Sequence, residues 1–122
     1  MKRMYALVFT TILSVMSVGS RDAAAHAALK SSLPLAGAVL AEAPKEIAIT
    51  FNEAVEEAFS SITVSDVTGK PVAAGKSAVD AQNHLVLKAA LPALASGKYA
   101  VHWVAVGPDG HRRKGDFSFT VK

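Results

Sequence analysis

The stretch Gly97-Lys98-Tyr99-Ala100-Val101-His102-Trp103, answered at the end of the chain by Phe117-Ser118-Phe119-Thr120-Val121, alternates bulky apolar residues with small or polar ones. Successive side chains of a strand point to opposite faces. Tyr99, Val101 and Trp103 therefore share one face with His102 on the other, while Phe117, Phe119 and Val121 oppose Ser118, Thr120 and Lys122. The same period of two recurs in Ile47, Ile49 and Phe51, in Ile62 and Val64, and in Leu85 and Leu87. Turn-forming clusters separate the runs: Asp66 to Pro71, Ala81 to Asn83, Leu94 to Gly97 and Gly107 to Gly110. Alanine-rich stretches at Ala36 to Ala43 and Lys88 to Ala95 are cut by Pro34, Gly37, Pro44 and Pro92, which leaves no room for a long helix. Short strands without long helices predict an all-β fold, a small Greek-key β-sandwich or barrel of immunoglobulin-like kind. The Leu94-x-x-Gly97-x-Tyr99 spacing predicts a tyrosine corner, with the phenol bonded back across a connection.

Upstream of this pattern the chain changes character. Lys2 and Arg3 precede an apolar run from Tyr5 to Val18, and Ala23-Ala24-Ala25 supplies small residues at the exit. That is the layout of a secretory signal peptide, and about fourteen apolar or small residues are too few for the roughly 20 that a membrane span needs. Residues 1–25 are read as a signal peptide cleaved after Ala25, and residues 26–122 as one domain with His26 at its amino terminus. A terminal histidine offers its α-amino nitrogen and an imidazole nitrogen to one ion, closing a chelate ring. The expected compartment is the periplasm.

Processing would remove three basic residues and one acidic one, leaving ten Lys/Arg against nine Asp/Glu. A nearly neutral domain does not present the basic stripe of a nucleic-acid binder, and Arg112-Arg113-Lys114 has no interleaved aromatics and is flanked by Asp109 and Asp116. No nucleic-acid partner is expected, and the domain is expected to be a monomer. There is no cysteine, and the three methionines, Met1, Met4 and Met16, all lie in the leader. A metal site in the processed chain must use nitrogen and oxygen donors.

Four histidines supply the nitrogen: His26, His84, His102 and His111. His84 alternates outward with Val86 and Lys88, and His102 faces away from Tyr99 and Trp103, so both read as surface side chains. His111 follows Asp109 by two residues, with Gly110 between them and Pro108 before, which favours a turn that brings the acid and the imidazole onto one point. The plain alternative is a turn pair followed by a solvated histidine. Glu53, in Phe51-Asn52-Glu53, is either a neighbour of the site and a weak ligand, or a surface carboxylate with a salt-bridge or hydrogen-bond role.

The motifs occur in an order that resembles the CopC family of exported copper-resistance and copper-handling proteins. They run from His26 through Ser31-Ser32-Leu33-Pro34 with Gly37, then Pro44 before Ile47-Ala48-Ile49-Thr50-Phe51-Asn52-Glu53, to Gly97-Lys98-Tyr99-Ala100-Val101-His102-Trp103. They finish with Asp109-Gly110-His111, Gly115, Phe117, Phe119 and Val121. The resemblance implies a Cu(II) site made by the terminal histidine, through amine and imidazole, with the aspartate and histidine of the late turn: His26, Asp109 and His111 here. Three nitrogens and a carboxylate suit the tetragonal preference of Cu(II). The resemblance also implies a carrier without catalysis, acting in copper resistance or homeostasis, with a CopD-type inner-membrane protein as partner.

The chain departs from the family pattern in two places. Many relatives carry a methionine-rich Cu(I) site in a mid-chain loop, which a processed chain without methionine cannot form. Gly107-Pro108 stands where relatives commonly place serine two positions before the aspartate, which puts the hydrogen bonding around the turn in question. Two other functions fit the same residues. A copper brace of amine and imidazoles also serves oxidative polysaccharide-cleaving monooxygenases, although a domain this small leaves little room for a glycan-binding face. An immunoglobulin-like adhesion or assembly module would need no metal at all.

Overall fold

Eight strands form in the computed structural model, which describes residues 28–122: β1 (Leu29–Leu33), β2 (Val39–Leu40), β3 (Glu46–Phe51), β4 (Ser61–Asp66), β5 (Ala78–Val79), β6 (Val86–Ala90), β7 (Gly97–Val106) and β8 (Arg112–Val121). They make two four-stranded sheets, one in the order β1-β3-β6-β5 and the other β2-β8-β7-β4. The expected leader and His26 lie outside the described residues. Pairing is antiparallel throughout except between β2 and β8, which run parallel. The fold is the expected all-β Greek-key sandwich.

The alternation read from the sequence is what fills the space between the sheets. Ile47, Ile49 and Phe51 of β3 and Leu87 and Ala89 of β6 come from one side. Ile62 and Val64 of β4, Tyr99, Val101, Trp103 and Ala105 of β7, and Phe119 and Val121 of β8 come from the other. Each large apolar side chain fully buried here contributes about 1.5–3 kcal/mol relative to exposure, and without disulfides these contacts must carry the fold. Phe51 meets Trp103 edge to face with ring centroids 5.2 Å apart, and Tyr99 stacks on Phe119 at 5.5 Å.

The tyrosine corner is present: Tyr99 Oη donates to the carbonyl of Ala95 at 2.7 Å and fixes the entry to β7. The strand read from Leu85 and Leu87 starts one residue later than the alternation suggests. Asn83 captures the preceding turn, accepting from Leu85 N–H at its side chain and from Val86 N–H at its carbonyl. Leu85 still pairs with the neighbouring strand, its carbonyl accepting from Phe51 N–H at 2.8 Å. The Ala36 to Ala43 stretch forms no helix: Ala36 and Gly37 make a turn, and Val39 and Leu40 add to the edge of β8.

The β7–β8 hairpin is the long axis of the molecule's second sheet, with ten residues in each strand. Its middle depends on Gly115, which stands opposite Trp103. A β-carbon at position 115 would lie 2.6 Å from one indole carbon and 2.7 Å from another, so the ring occupies the volume a side chain would need. Gly115→Ala is therefore expected to cost about 1–3 kcal/mol by overpacking, seen as a lower Tm with altered near-ultraviolet circular dichroism from Trp103. A second expectation concerns acid stability. Lys88, 2.7 Å away, and the N–H groups of Gln82 and Asn83 hold the Asp80 carboxyl below its usual value. The Thr68 hydroxyl does the same for Asp66, helped by the N–H groups of Lys70 and Thr68. Depressed carboxylates stabilise the fold above their ordinary range and lose that contribution as pH falls through their folded values. Tm should therefore fall between about pH 5 and pH 2, and more shallowly in the double variant Asp66→Asn, Asp80→Asn.

Candidate metal centre

The tip of the β7–β8 hairpin is Gly107-Pro108-Asp109-Gly110-His111, and its own hydrogen bonds shape it. Gly110 N–H donates to Gly107 carbonyl at 3.0 Å, closing a turn with proline at its second position. Gly110 has φ +79°, a left-handed conformation that glycine adopts without cost, and it turns the chain back so that Gly107 N–H reaches the His111 carbonyl at 3.3 Å. Gly107-Pro108 thus keeps the turn bonded without a serine.

This backbone brings Asp109 and His111 together. Asp109 Oδ1 accepts from His111 N–H at 3.1 Å, and Asp109 Oδ2 lies 2.8 Å from His111 Nδ1. Both side chains are open to an ion arriving from solvent, with 39% of Asp109 and 64% of His111 exposed. The separation suits two states. In the metal-free state it is a hydrogen bond from the imidazole; two donors about 2.0 Å from one ion and at right angles to it are also about 2.8 Å apart. For both to bind one ion the ring and the carboxylate must turn, because the imidazole nitrogen now points its proton straight at the carboxylate oxygen, and the exposure of both side chains leaves room for that turn.

Beneath the turn lies Glu53. The segment from Phe51 to Ser60 crosses from the first sheet to the second, and its far end is tied to the end of β7: Glu56 N–H donates to Val106 carbonyl at 2.8 Å, and Val106 N–H donates to Ser60 Oγ at 3.1 Å. That crossing puts Glu53 against Gly107, where an added β-carbon would sit 2.5 Å from Glu53 Oε1 and 3.3 Å from Asp109 Oδ1. Glu53 Oε1 is buried and accepts no hydrogen bond among the described residues. Among the described residues it makes no salt bridge; it and the Asp109 carboxyl both border Gly107, and a cation near two carboxylates offsets their repulsion.

The first described residue is also fixed here. Ala28 N–H donates to Asn52 Oδ1 at 2.7 Å, and Asn52 N–H donates to Ala28 carbonyl at 3.0 Å. His26 itself lies outside the described residues, two positions before this anchor. Among the described residues no three His, Cys, Asp or Glu side chains converge to hold an ion; Asp109 and His111 stand as a pair.

The other two histidines stand apart from the turn. His84 is exposed in the turn before β6. His102 is exposed on the outer face of β7, and its Nδ1 contacts Asp116 Oδ1 directly across the strand pair. Periodicity placed His102 outward but carries no register, so it could not name Asp116 as its neighbour. Asn52 was legible only as part of a motif, since its acceptor role depends on where Ala28 falls.

A two-sheet sandwich whose longest hairpin ends in an Asp-Gly-His turn is an architecture shared with small copper-resistance domains. The model of the CopC domain family matches residues 29–122, and the chain belongs to the CopC family. The YobA protein of Escherichia coli strain K12 is 36% identical over 97% of this chain and 93% of its own length. Copper resistance protein C of E. coli is 37% identical over 83% of this chain and 85% of its own. Among solved structures, CopC from Methylosinus trichosporium OB3b superposes with a TM-score of 0.75 at 35% identity, covering 80% of this chain and 94% of that one. PcoC, a methionine-rich copper resistance protein from E. coli, superposes with a TM-score of 0.73 at 35% identity, covering 80% of this chain and all of its own. The chain is thus a copper resistance or transport protein of the CopC family and not an enzyme, which sets aside the monooxygenase and the metal-free module.

The Gly107–Glu53 contact makes a specific expectation. In Gly107→Ala the flexible Glu53 side chain gives way to the new methyl, so stability should change by no more than about 0.5 kcal/mol. The electron paramagnetic resonance spectrum of bound Cu(II) should nevertheless shift, because a nearby carboxylate has moved.

Proposed function

We propose that the exported and processed chain is a periplasmic carrier that binds one Cu(II) through the amine and imidazole of His26 together with Asp109 and His111. The observation that carries this reading is the Asp109 Oδ2 to His111 Nδ1 separation of 2.8 Å at an exposed hairpin tip. It is supported by the anchoring of Ala28, which restricts where the amino terminus can go. The donor set is hard to intermediate and contains no sulfur, which favours Cu(II) over Cu(I). Glu53 lies close enough to offset the ion's charge, and Asp109 offsets more by ligating it.

The chain has no methionine beyond Met16, so the processed protein lacks the thioethers of a methionine-rich Cu(I) site. We read it as a protein with a single Cu(II) site, monomeric, handing copper to or from an inner-membrane protein of the CopD type. Protons compete with the ion at each nitrogen, so affinity falls as pH is lowered.

The test is isothermal titration with Cu(II) in the presence of a competing chelator, on protein recovered from the periplasm and checked by intact mass for a start at His26. The unaltered protein should bind one equivalent. His26→Ala and His111→Ala should each weaken binding at least about tenfold, or 1.4 kcal/mol, with Tm of the metal-free forms unchanged. Equal affinity in all three would remove the site, and a start elsewhere in the sequence would remove the amine.

A further inference from the structure

The two hydrogen bonds between Ala28 and Asn52 have the pattern of an antiparallel ladder in which one acceptor has been exchanged. Leu29 is paired with Phe51, so Ala28 faces Asn52 as the next pair along. In a regular ladder two residues so placed exchange both N–H···O bonds through their backbones. Here Asn52 N–H does donate to the Ala28 carbonyl, at 3.0 Å, but Ala28 N–H donates at 2.7 Å to the Asn52 side chain. The chain has already ended its strand at Phe51 and is leaving the sheet toward Glu53 and the hairpin tip. The amide oxygen of Asn52 stands in for the backbone carbonyl that the departing chain no longer offers.

We infer that Asn52 is a positioning residue for the amino-terminal chelate, holding the third residue of the processed chain so that His26 is presented to the Asp109–His111 turn. The inference rests on the copper site proposed above and adds to it a group that touches neither metal nor ligand. Only Ala27 lies between His26 and Ala28, so two peptide units keep the α-carbon of His26 within about 7 Å of an anchored point. Asn52 is bonded to Glu53, whose carboxylate borders Gly107 and Asp109, so anchor and turn are built from adjacent residues. Without the side-chain acceptor only the single bond from Asn52 N–H retains Ala28, and the strand end frays. The chelating amine and imidazole then lose pre-organisation, which costs affinity without removing a ligand.

The residue type follows from the geometry. Asparagine or aspartate provides an acceptor at the required reach; alanine provides none. Either could also fill the site in a way that leaves the backbone bond from position 52 unchanged, so the effect of the side chain is separable from that of the strand pairing.

The experiment uses the exported, processed protein and three variants, Asn52→Ala, Asn52→Asp and His26→Ala, titrated with Cu(II) alone as the probe. Affinity, the electron paramagnetic resonance spectrum and hydrogen exchange at the Ala28 amide are read on each. Losing one neutral hydrogen bond should weaken Cu(II) binding about three- to tenfold in Asn52→Ala, with a broadened spectrum and fast exchange at Ala28. Asn52→Asp keeps an acceptor and should restore slow exchange and a sharp spectrum, with affinity at or above that of the unaltered protein. Parent-like affinity and spectrum in Asn52→Ala, with binding lost in His26→Ala, would overturn the inference and leave the copper site standing. Unchanged binding in His26→Ala would overturn both. Fast exchange at Ala28 in the unaltered protein would remove the latch whatever Asn52→Ala does to folding.

Discussion

The site depends on how the chain crosses from one sheet to the other between Phe51 and Ser60. Phe51 is fully buried against Trp103, which fixes where the crossing begins. The bond from Glu56 N–H to Val106 carbonyl, and the one from Val106 N–H to Ser60 Oγ, fix where it meets the end of β7. Between those two points the chain must pass under the hairpin tip. Asn52 and Glu53 sit there because the core residues on either side leave the segment little choice.

That constraint explains why a small domain without disulfides can hold a defined cluster of donors at its surface. Loops are usually the most variable and mobile parts of a fold, and they carry function when a rigid scaffold positions them. Here the scaffold is a hairpin of two ten-residue strands whose centre is locked by an indole lying over a glycine. The turn at its end adds three hydrogen bonds donated by its own backbone, two to backbone carbonyls and one from His111 N–H to Asp109 Oδ1. The carboxylate that joins the imidazole is therefore itself held, and the two side chains meet at a set distance before any ion arrives.

The buried strands were readable because period two is imposed by the pleat and survives in the sequence wherever one face is apolar. β3, β4, β7 and β8 all follow it, and Tyr99 announced its corner through its distance from Leu94 and Gly97. What could not be read were the elements that bury little. β1 contributes one buried residue, Ser32, and β2 and β5 are two residues long, so none has a hydrophobic face to detect. In the site, Asp109 and His111 were legible because they are close in sequence and share a turn. The burial of Glu53 and the reach of Asn52 to Ala28 were not, because each depends on contacts separated by tens of residues, which no local pattern records.

The edges of the two sheets carry a last consequence. β2 and β5 are too short to template another strand, and β1 is interrupted by an irregularity between Leu29 and Ser31. The outer side of β4 is already bonded to the loop that follows it, through Val72 N–H to Val64 carbonyl and Asp66 N–H to Lys70 carbonyl. Among the described residues, these edges offer neighbours little continuous backbone to zip onto. Recognition has to proceed through side chains and turns, and crowding with copies of itself brings little risk of sheet-to-sheet growth.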